Sequence, residues 1–102
     1  MKESSNYTVV SVGPDCLAIN SDRIRSKICS YFTGESKEIC LDFSKTLCID
    51  AAGVGVIASL VFEGRRKGFT ISMKGAKGTV LQMLTATGLY RLASWSDDSI
   101  GV

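Results

Sequence analysis

Leu41-Asp42-Phe43-Ser44-Lys45-Thr46-Leu47-Cys48-Ile49-Asp50-Ala51-Ala52-Gly53-Val54-Gly55 reads as a strand, a loop and the start of a helix in immediate succession. Ile39 to Phe43 is a short run of apolar, β-favouring residues, and Leu47-Cys48-Ile49 is a second apolar step beyond the polar Ser44-Lys45-Thr46. Asp50 then stands where a carboxylate accepts hydrogen bonds from the free N–H groups of a new helix, the N-cap position. Two alanines, two glycines and a run of aliphatics follow, the composition of a helix that packs close against its surroundings.

On the N-terminal side, Tyr7 to Val12 has strong β-propensity, and Gly13-Pro14-Asp15 supplies turn chemistry before the shorter run Cys16 to Ile19. That pattern predicts an antiparallel hairpin. Asn20-Ser21 offers an N-cap for an amphipathic helix over Asp22 to Phe32, with Ile24, Ile28, Tyr31 and Phe32 on one face. A helix standing between two strands predicts a crossover, hence mixed or parallel pairing.

On the C-terminal side the central helix should run to about Arg66, with Arg65-Arg66-Lys67 at the negative end of its dipole and Gly68 as its stop. Phe69 to Met73 alternates apolar and polar, which leaves one sheet face only partly covered. A turn at Lys74 to Thr79 leads to a third helix carrying Val80, Leu81, Met83, Leu84 and Thr87. Gly88-Leu89 reads as a Schellman ending in which Leu89 touches Leu84, and Leu92 to Trp95 as a last short strand. The fold class is therefore α/β: one domain over residues 1–102, with a mixed sheet of four to five strands packed with three to four helices.

Composition excludes several function classes. With 12 basic and 10 acidic residues in 102, the formal charge of +2 argues for neither nucleic acid nor a membrane surface as partner. No apolar run approaches the ~18 residues of a membrane span, and the N-terminus lacks the apolar segment of a secretory signal, so a soluble cytoplasmic protein is expected. Cys16, Cys29, Cys40 and Cys48 show no C-x-x-C spacing and the chain has no histidine, so the cysteines read as four small buried hydrophobes and no metal or cofactor is expected. Absence of histidine also removes the Ser-His and Cys-His nucleophile pairs.

Two glycine-rich stretches fail as nucleotide motifs. In Lys74-Gly75-Ala76-Lys77-Gly78-Thr79, Gly78 separates the lysine from the hydroxyl that a phosphate loop needs beside it, and Gly53-Val54-Gly55 lacks the third glycine of a dinucleotide fingerprint. Asp15, Asp22, Asp42, Asp50 and Glu63 lie in different elements and form no acid/base pair; Asp42 and Asp50 read as acceptors for local backbone donors. No catalytic constellation emerges, and the chain is expected not to be an enzyme.

The runs Leu41-Asp42-Phe43-Ser44, Ile49 to Ile57, Arg65 to Phe69 and Thr87-Gly88-Leu89, in this order and spacing, closely resemble the STAS domain family, whose best-known members are bacterial anti-sigma factor antagonists. The resemblance covers about residues 38 to 92. It implies a partner switch: such members bind an anti-sigma factor that is also a serine kinase of the GHKL type, which phosphorylates a Ser or Thr immediately before the glycine matching Gly53. A phosphate there adds about −1.5 to −2 charges at a helix start, and the complex separates.

The chain departs from that pattern in three places. Both phosphoacceptor-equivalent positions, Ala51 and Ala52, lack a hydroxyl; the acidic loop expected after the second strand is contracted to Ile19-Asn20-Ser21-Asp22; and the terminal helix is absent or reduced to Ser96 to Val102. A domain that binds constitutively, a chain deliberately substituted with alanine, and a branch with another job all fit. Ser44, Thr46 and Ser59 are the substitute acceptors nearby.

The expected docking surface comprises the loop Ser44, Lys45 and Thr46, the helix start Asp50, Ala51, Ala52 and Gly53, and an outer helical stripe of Val56, Ser59, Leu60 and Glu63. Val54, Ile57, Ala58 and Val61 form the core stripe at helical spacing, although Val56 and Leu60 fit equally well beneath a neighbouring helix. The expected partner is a protein, namely the anti-sigma factor/serine kinase, with a second copy of the chain as a further option and no direct membrane insertion. The alternatives are a cytoplasmic STAS subunit of a lipid-transporting ABC transporter, the tail of an anion transporter, or a component of a larger signalling assembly.

Overall fold

The computed structural model describes residues 7–33, 37–86, 88 and 94–95. Strand β1 (Tyr7–Ser11) is followed by the two-residue β2 (Asp15–Cys16), a 3₁₀ turn at Ala18–Asn20, helix α1 (Ser21–Cys29) and a second 3₁₀ turn at Ser30–Thr33. Then come β3 (Glu38–Asp42), the two-residue β4 (Cys48–Ile49), α2 (Ala51–Arg66), β5 (Thr70–Lys74), α3 (Gly78–Ala86) and β6 (Ser94–Trp95).

Every described strand pairing is parallel. The main sheet has the order β1-β3-β5-β6, with Val10 beside Leu41 and Leu41 beside Met73, and β2 pairs with β4 in a separate two-stranded ladder. The expected hairpin between Tyr7–Val12 and Cys16–Ile19 does not form, and the sheet is parallel rather than mixed. Pro14 explains the difference: its carbonyl accepts from Leu47 N–H at 2.8 Å, so the chain after β1 turns toward β4 instead of folding back. Ala18 and Ile19, read from sequence as strand, form the 3₁₀ turn with Asn20 because the Asn20 side chain accepts from Leu17 N–H at 2.8 Å and donates to the Asp15 carbonyl at 2.9 Å. Asn20 therefore stands at the N-cap of α1 without capping it through its side chain.

Because the strand order never reverses, crossovers of the usual hand place all three helices on one face of the sheet. The core agrees. Val10, Ile39, Leu41, Ile71 and Met73 share one face and pack with Ile24 and Ile28 of α1, Val54, Ile57, Leu60 and Val61 of α2, and Val80 and Leu84 of α3. On the opposite face Val9 is exposed and Ser72 half-buried, while Cys40 is buried but lies outside the core cluster. The partly covered face expected from the alternation in β5 is this one.

Helix α2 ends in a full Schellman motif. Gly68 takes a φ of +90°, Phe69 N–H donates to the Gly64 carbonyl at 2.8 Å and Gly68 N–H to that of Arg65 at 3.0 Å. The turn delivers Phe69 against Phe32, ring centres 5.4 Å apart. At the end of α3, Gly88 is left-handed with a φ of +79° and donates to Thr85, whereas Leu89 and the segment Ser96 to Val102 lie outside the described residues.

Candidate docking surface at the start of helix α2

Asp50 holds the start of α2 from several sides. Its Oδ1 accepts from Gly53 N–H at 2.8 Å, as an N-cap should, and its Oδ2 accepts from Ala18 N–H at 3.1 Å in the 3₁₀ turn 32 residues earlier. Its own N–H donates to the Cys16 carbonyl at 3.3 Å. The bonds from Gly53 first and Ala18 second hold this carboxyl below its ordinary range, so it is ionised wherever the protein is folded near neutral pH. One side chain thus caps the helix and ties it to the 17–20 loop.

Gly53 makes that proximity achievable. A Cβ at this position would lie 1.9 Å from the Cys16 carbonyl oxygen, so the first turn of α2 rests directly on the β2 backbone. Cys16 Sγ donates to the Gly53 carbonyl at 3.6 Å; burial, with the Asp50 charge adding, pushes that thiol up to about 11. Buried and neutral, Cys16 serves as packing.

Around this frame the exposed side chains are unusually apolar. Ile19 is 91% exposed in the 3₁₀ turn and Leu47 is 77% exposed just before β4, while Ala18, Cys48, Ala51 and Ala52 are also at the surface. The Leu47 and Cys48 amides are anchored on Pro14, and β4 is paired with β2, so these residues sit on fixed backbone beside the α2 start. Large apolar side chains held out from a fixed frame make this a candidate protein-contact surface.

The structure keeps some of the expected site residues at the surface and removes others. Ser44 and Lys45 are exposed, with Ser44 N–H closing a turn onto Asp42 Oδ1 at 2.9 Å. Ala51 and Ala52 are exposed, Asp50 is half-buried, and Val56, Ser59 and Glu63 are half-buried on the outer side of α2. Ser59 accepts from Arg25 of α1 at 2.6 Å, and Glu63 pairs with Arg66 and Lys67.

Thr46, by contrast, is only 4% exposed and donates its hydroxyl to the Gly13 carbonyl at 2.6 Å, which makes it a loop fastener. Gly53 is buried against β2. Leu60 is 0% exposed and belongs to the core, while Ala58, assigned from sequence to the core stripe, is half-buried. The buried stripe of α2 is Gly53, Val54, Ile57, Leu60, Val61 and Gly64. The missed signal was the pair Gly53 and Gly64, 11 residues and hence three turns apart on one face. A Cβ on Gly64 would meet Ile71 Cδ1 at 2.7 Å, so both glycines mark the side that approaches the sheet.

Other expectations also change. Of the four cysteines read as buried, Cys16 and Cys40 are, Cys29 is half-buried and Cys48 is exposed; among the described residues all four are free thiols. Ile19, Leu47 and Phe62, which sequence reasoning did not place on the docking surface, are exposed. Their apolar character suits a core position equally well, so only the fold separates the two roles.

A family model for the STAS domain matches residues 1–100. The chain belongs to the STAS domain family. Among solved structures, the protein TM1081 has a TM-score of 0.77 at 19% identity, over 98% of this chain and 80% of that one. The phosphorylated form of the Bacillus cell fate determinant SpoIIAA superposes with a TM-score of 0.68 at 17% identity, over 98% of this chain and 92% of that one. The STAS domain of a SulP transporter from Vibrio cholerae has a TM-score of 0.73 at 13% identity, over 93% and 77%. At these identities the likenesses establish the fold: a STAS architecture of a parallel sheet with helices against it. Among the described residues, no helix of this STAS domain is long and apolar enough to cross a membrane, and no three potential metal ligands cluster.

Proposed function

We propose that this STAS domain is a protein-binding module of the partner-switching kind, docking through the start of α2 on an anti-sigma factor/serine kinase of the GHKL type. The observation that carries the reading is the exposed apolar surface of Ile19, Leu47, Ala51 and Ala52, built around the doubly bonded Asp50. SpoIIAA, an anti-sigma factor antagonist solved with and without phosphate, supports the partner class. With alanine at 51 and 52, docking here proceeds without the hydroxyl that a kinase would modify, so the complex is held by apolar contact and is not released by phosphorylation at these two positions.

The described strand order lacks the reversal that opens a ligand crevice in doubly wound folds, and Asp42, Asp50 and Glu63 are engaged by backbone donors or neighbouring cations.

Ala52→Glu tests the surface. An acidic side chain in the first helical turn suits the positive end of the dipole, so the fold is retained. At the interface the same carboxylate is desolvated without a partner, and affinity for the purified kinase should fall by roughly tenfold or more in calorimetry. Unchanged affinity would remove the α2 start from the interface.

The SulP neighbour favours a second reading, in which the domain is the cytoplasmic regulatory part of a transport system. Co-purification with a membrane transporter in place of a kinase would select it, and an ATPase subunit among the captured proteins would point to an ABC transporter.

A further inference from the structure

Helix α2 carries three glycines in its 16 residues, and the structure accounts for two of them. Gly53 and Gly64 lie against β2 and β5, where a Cβ would collide. Gly55 is exposed, and a Cβ built on it meets nothing within 4 Å. A glycine inside a helix is less stable than alanine, and here no contact within the described chain compensates. The compensation that remains is close approach by another molecule.

Gly55 lies on the outer face of α2 with Ala52, Ser59, Phe62 and Arg66, at intervals of three and four residues. Phe62 is 61% exposed and lines a surface hollow of about 330 Å³ together with Arg65 and Arg66. Glu63 is the one acidic residue of α2, and it is engaged by Arg66 at 2.6 Å and Lys67 at 3.3 Å, whereas Arg65 makes no ion pair among the described residues. Arg25 of α1 adds a further cation where it bridges to Ser59. This end of the face therefore sets four cations against one carboxylate, while the opposite end presents Ile19, Leu47, Ala51 and Ala52 around the Asp50 carboxylate.

We propose that the docking face runs the length of α2 and receives an acidic amphipathic helix of the protein partner, close-packed on Gly55, with carboxylates over Arg65 and Arg66 beside Phe62. The inference deepens the docking reading given above and rests on it for the N-terminal half of the face. From Ala52 to Phe62 the face spans about 15 Å, the length of three helical turns. The 3-4 spacing of its small and aromatic residues forms a ridge and groove that a helix can match. The charge gradient sets the direction in which that helix lies.

Site-specific photo-crosslinking of the full chain in its source cells tests the proposal, with a benzophenone amino acid replacing Ala52 in one variant and Phe62 in another. The expected result is that both positions crosslink to the same protein, and that mass spectrometry maps the Phe62 adduct to a segment of net negative charge. Adding Arg65→Glu and Arg66→Glu, both at exposed positions, should reduce the Phe62 adduct by roughly tenfold, the loss for about 1.4 kcal/mol of interaction. Gly55→Ala should reduce it too while raising the melting temperature.

Crosslinking at Ala52 alone leaves the docking reading standing and overturns the extended face. No adduct at either position overturns both. A Phe62 adduct to a second copy of this chain, to lipid or to a segment of net positive charge overturns the acidic helix.

Discussion

The three glycines of α2 allow a stability prediction whose sign differs along one helix. Replacing any of them by alanine gains about 0.5–1 kcal/mol of helix propensity. At Gly55 nothing opposes that gain, because a Cβ there meets no atom within 4 Å. At Gly53 the new Cβ would sit 1.9 Å from the Cys16 carbonyl oxygen and 2.7 Å from its carbon, both backbone atoms that cannot rotate away. The helix start must retreat by more than 1 Å to reach ordinary contact, roughly the gap between 1.9 Å and the 3.4 Å at which such contacts begin. That retreat strains the Asp50 N–H bond to Cys16 and the Ala18 bond to Asp50.

Overpacking against rigid backbone together with two weakened hydrogen bonds gives a net loss of about 2–4 kcal/mol for Gly53→Ala. Gly64→Ala falls between, at about 1–2 kcal/mol, because its collisions are with the flexible tips of Ile71 and Phe32. Urea unfolding followed by circular dichroism measures all three. The expected order of midpoints is Gly55→Ala above wild type, then Gly64→Ala, then Gly53→Ala. In heat, the first should rise by about 3–6 °C and the last should fall by about 10–25 °C, for a domain of this size. If Gly53→Ala came within about 1 kcal/mol of Gly55→Ala, the close approach of α2 to β2 would be refuted.

Three further outcomes test other parts of the structure. Leu60→Ala removes a fully buried side chain and should destabilise the fold by about 2–5 kcal/mol in denaturant titration, while partner affinity of the folded fraction stays unchanged; a binding loss without a stability loss would return Leu60 to the surface. Asp50 ionises below its ordinary value of 3.8 when folded, so the stability it contributes is present above that pH and is lost as the pH falls through the folded value. Asp50→Asn, which keeps a capping oxygen but no charge, should flatten the acid limb of melting temperature against pH, and an unaltered limb would show that the bonds from Gly53 and Ala18 do not hold the carboxylate. Thiol labelling of the native protein at neutral pH should consume Cys48 quickly, Cys29 slowly, and Cys16 and Cys40 only on unfolding; labelling of Cys16 at the rate of Cys48 would contradict its burial and raised pKa.

Much of the candidate surface was readable before the fold was known, for reasons that are local. Asp50 followed by small residues signals an N-cap, and the structure places Asp50 Oδ1 2.8 Å from Gly53 N. The length of α2 followed from Arg65-Arg66-Lys67-Gly68, and its Schellman ending lies at Gly68. Asp42 and Asp50 both satisfy backbone donors, as their isolation from other carboxylates suggested. Thr46, Leu60 and the hairpin were misplaced because each depends on a distant partner: Gly13 for the Thr46 hydroxyl, the sheet for Leu60, and Leu47 for the turn at Pro14.

Periodicity and capping chemistry alone give the order of the three helices and of every described strand except β4, which reads as part of the loop before α2, together with the cap and stop of α2, the lack of a hydroxyl at positions 51 and 52, and the resemblance to STAS domains. Those features are written in periodicity and in capping residues a few positions apart. The pairing of β2 with β4, the inward side of Leu60, the outward side of Phe62 and the exposure of Ile19 and Leu47 beside Asp50 come from long-range packing. Helix α2 is apolar on nearly every side over its first twelve residues, so hydrophobicity alone does not orient it. Its rotation is set by the two places, Gly53 and Gly64, where the helix can come closest to its neighbours.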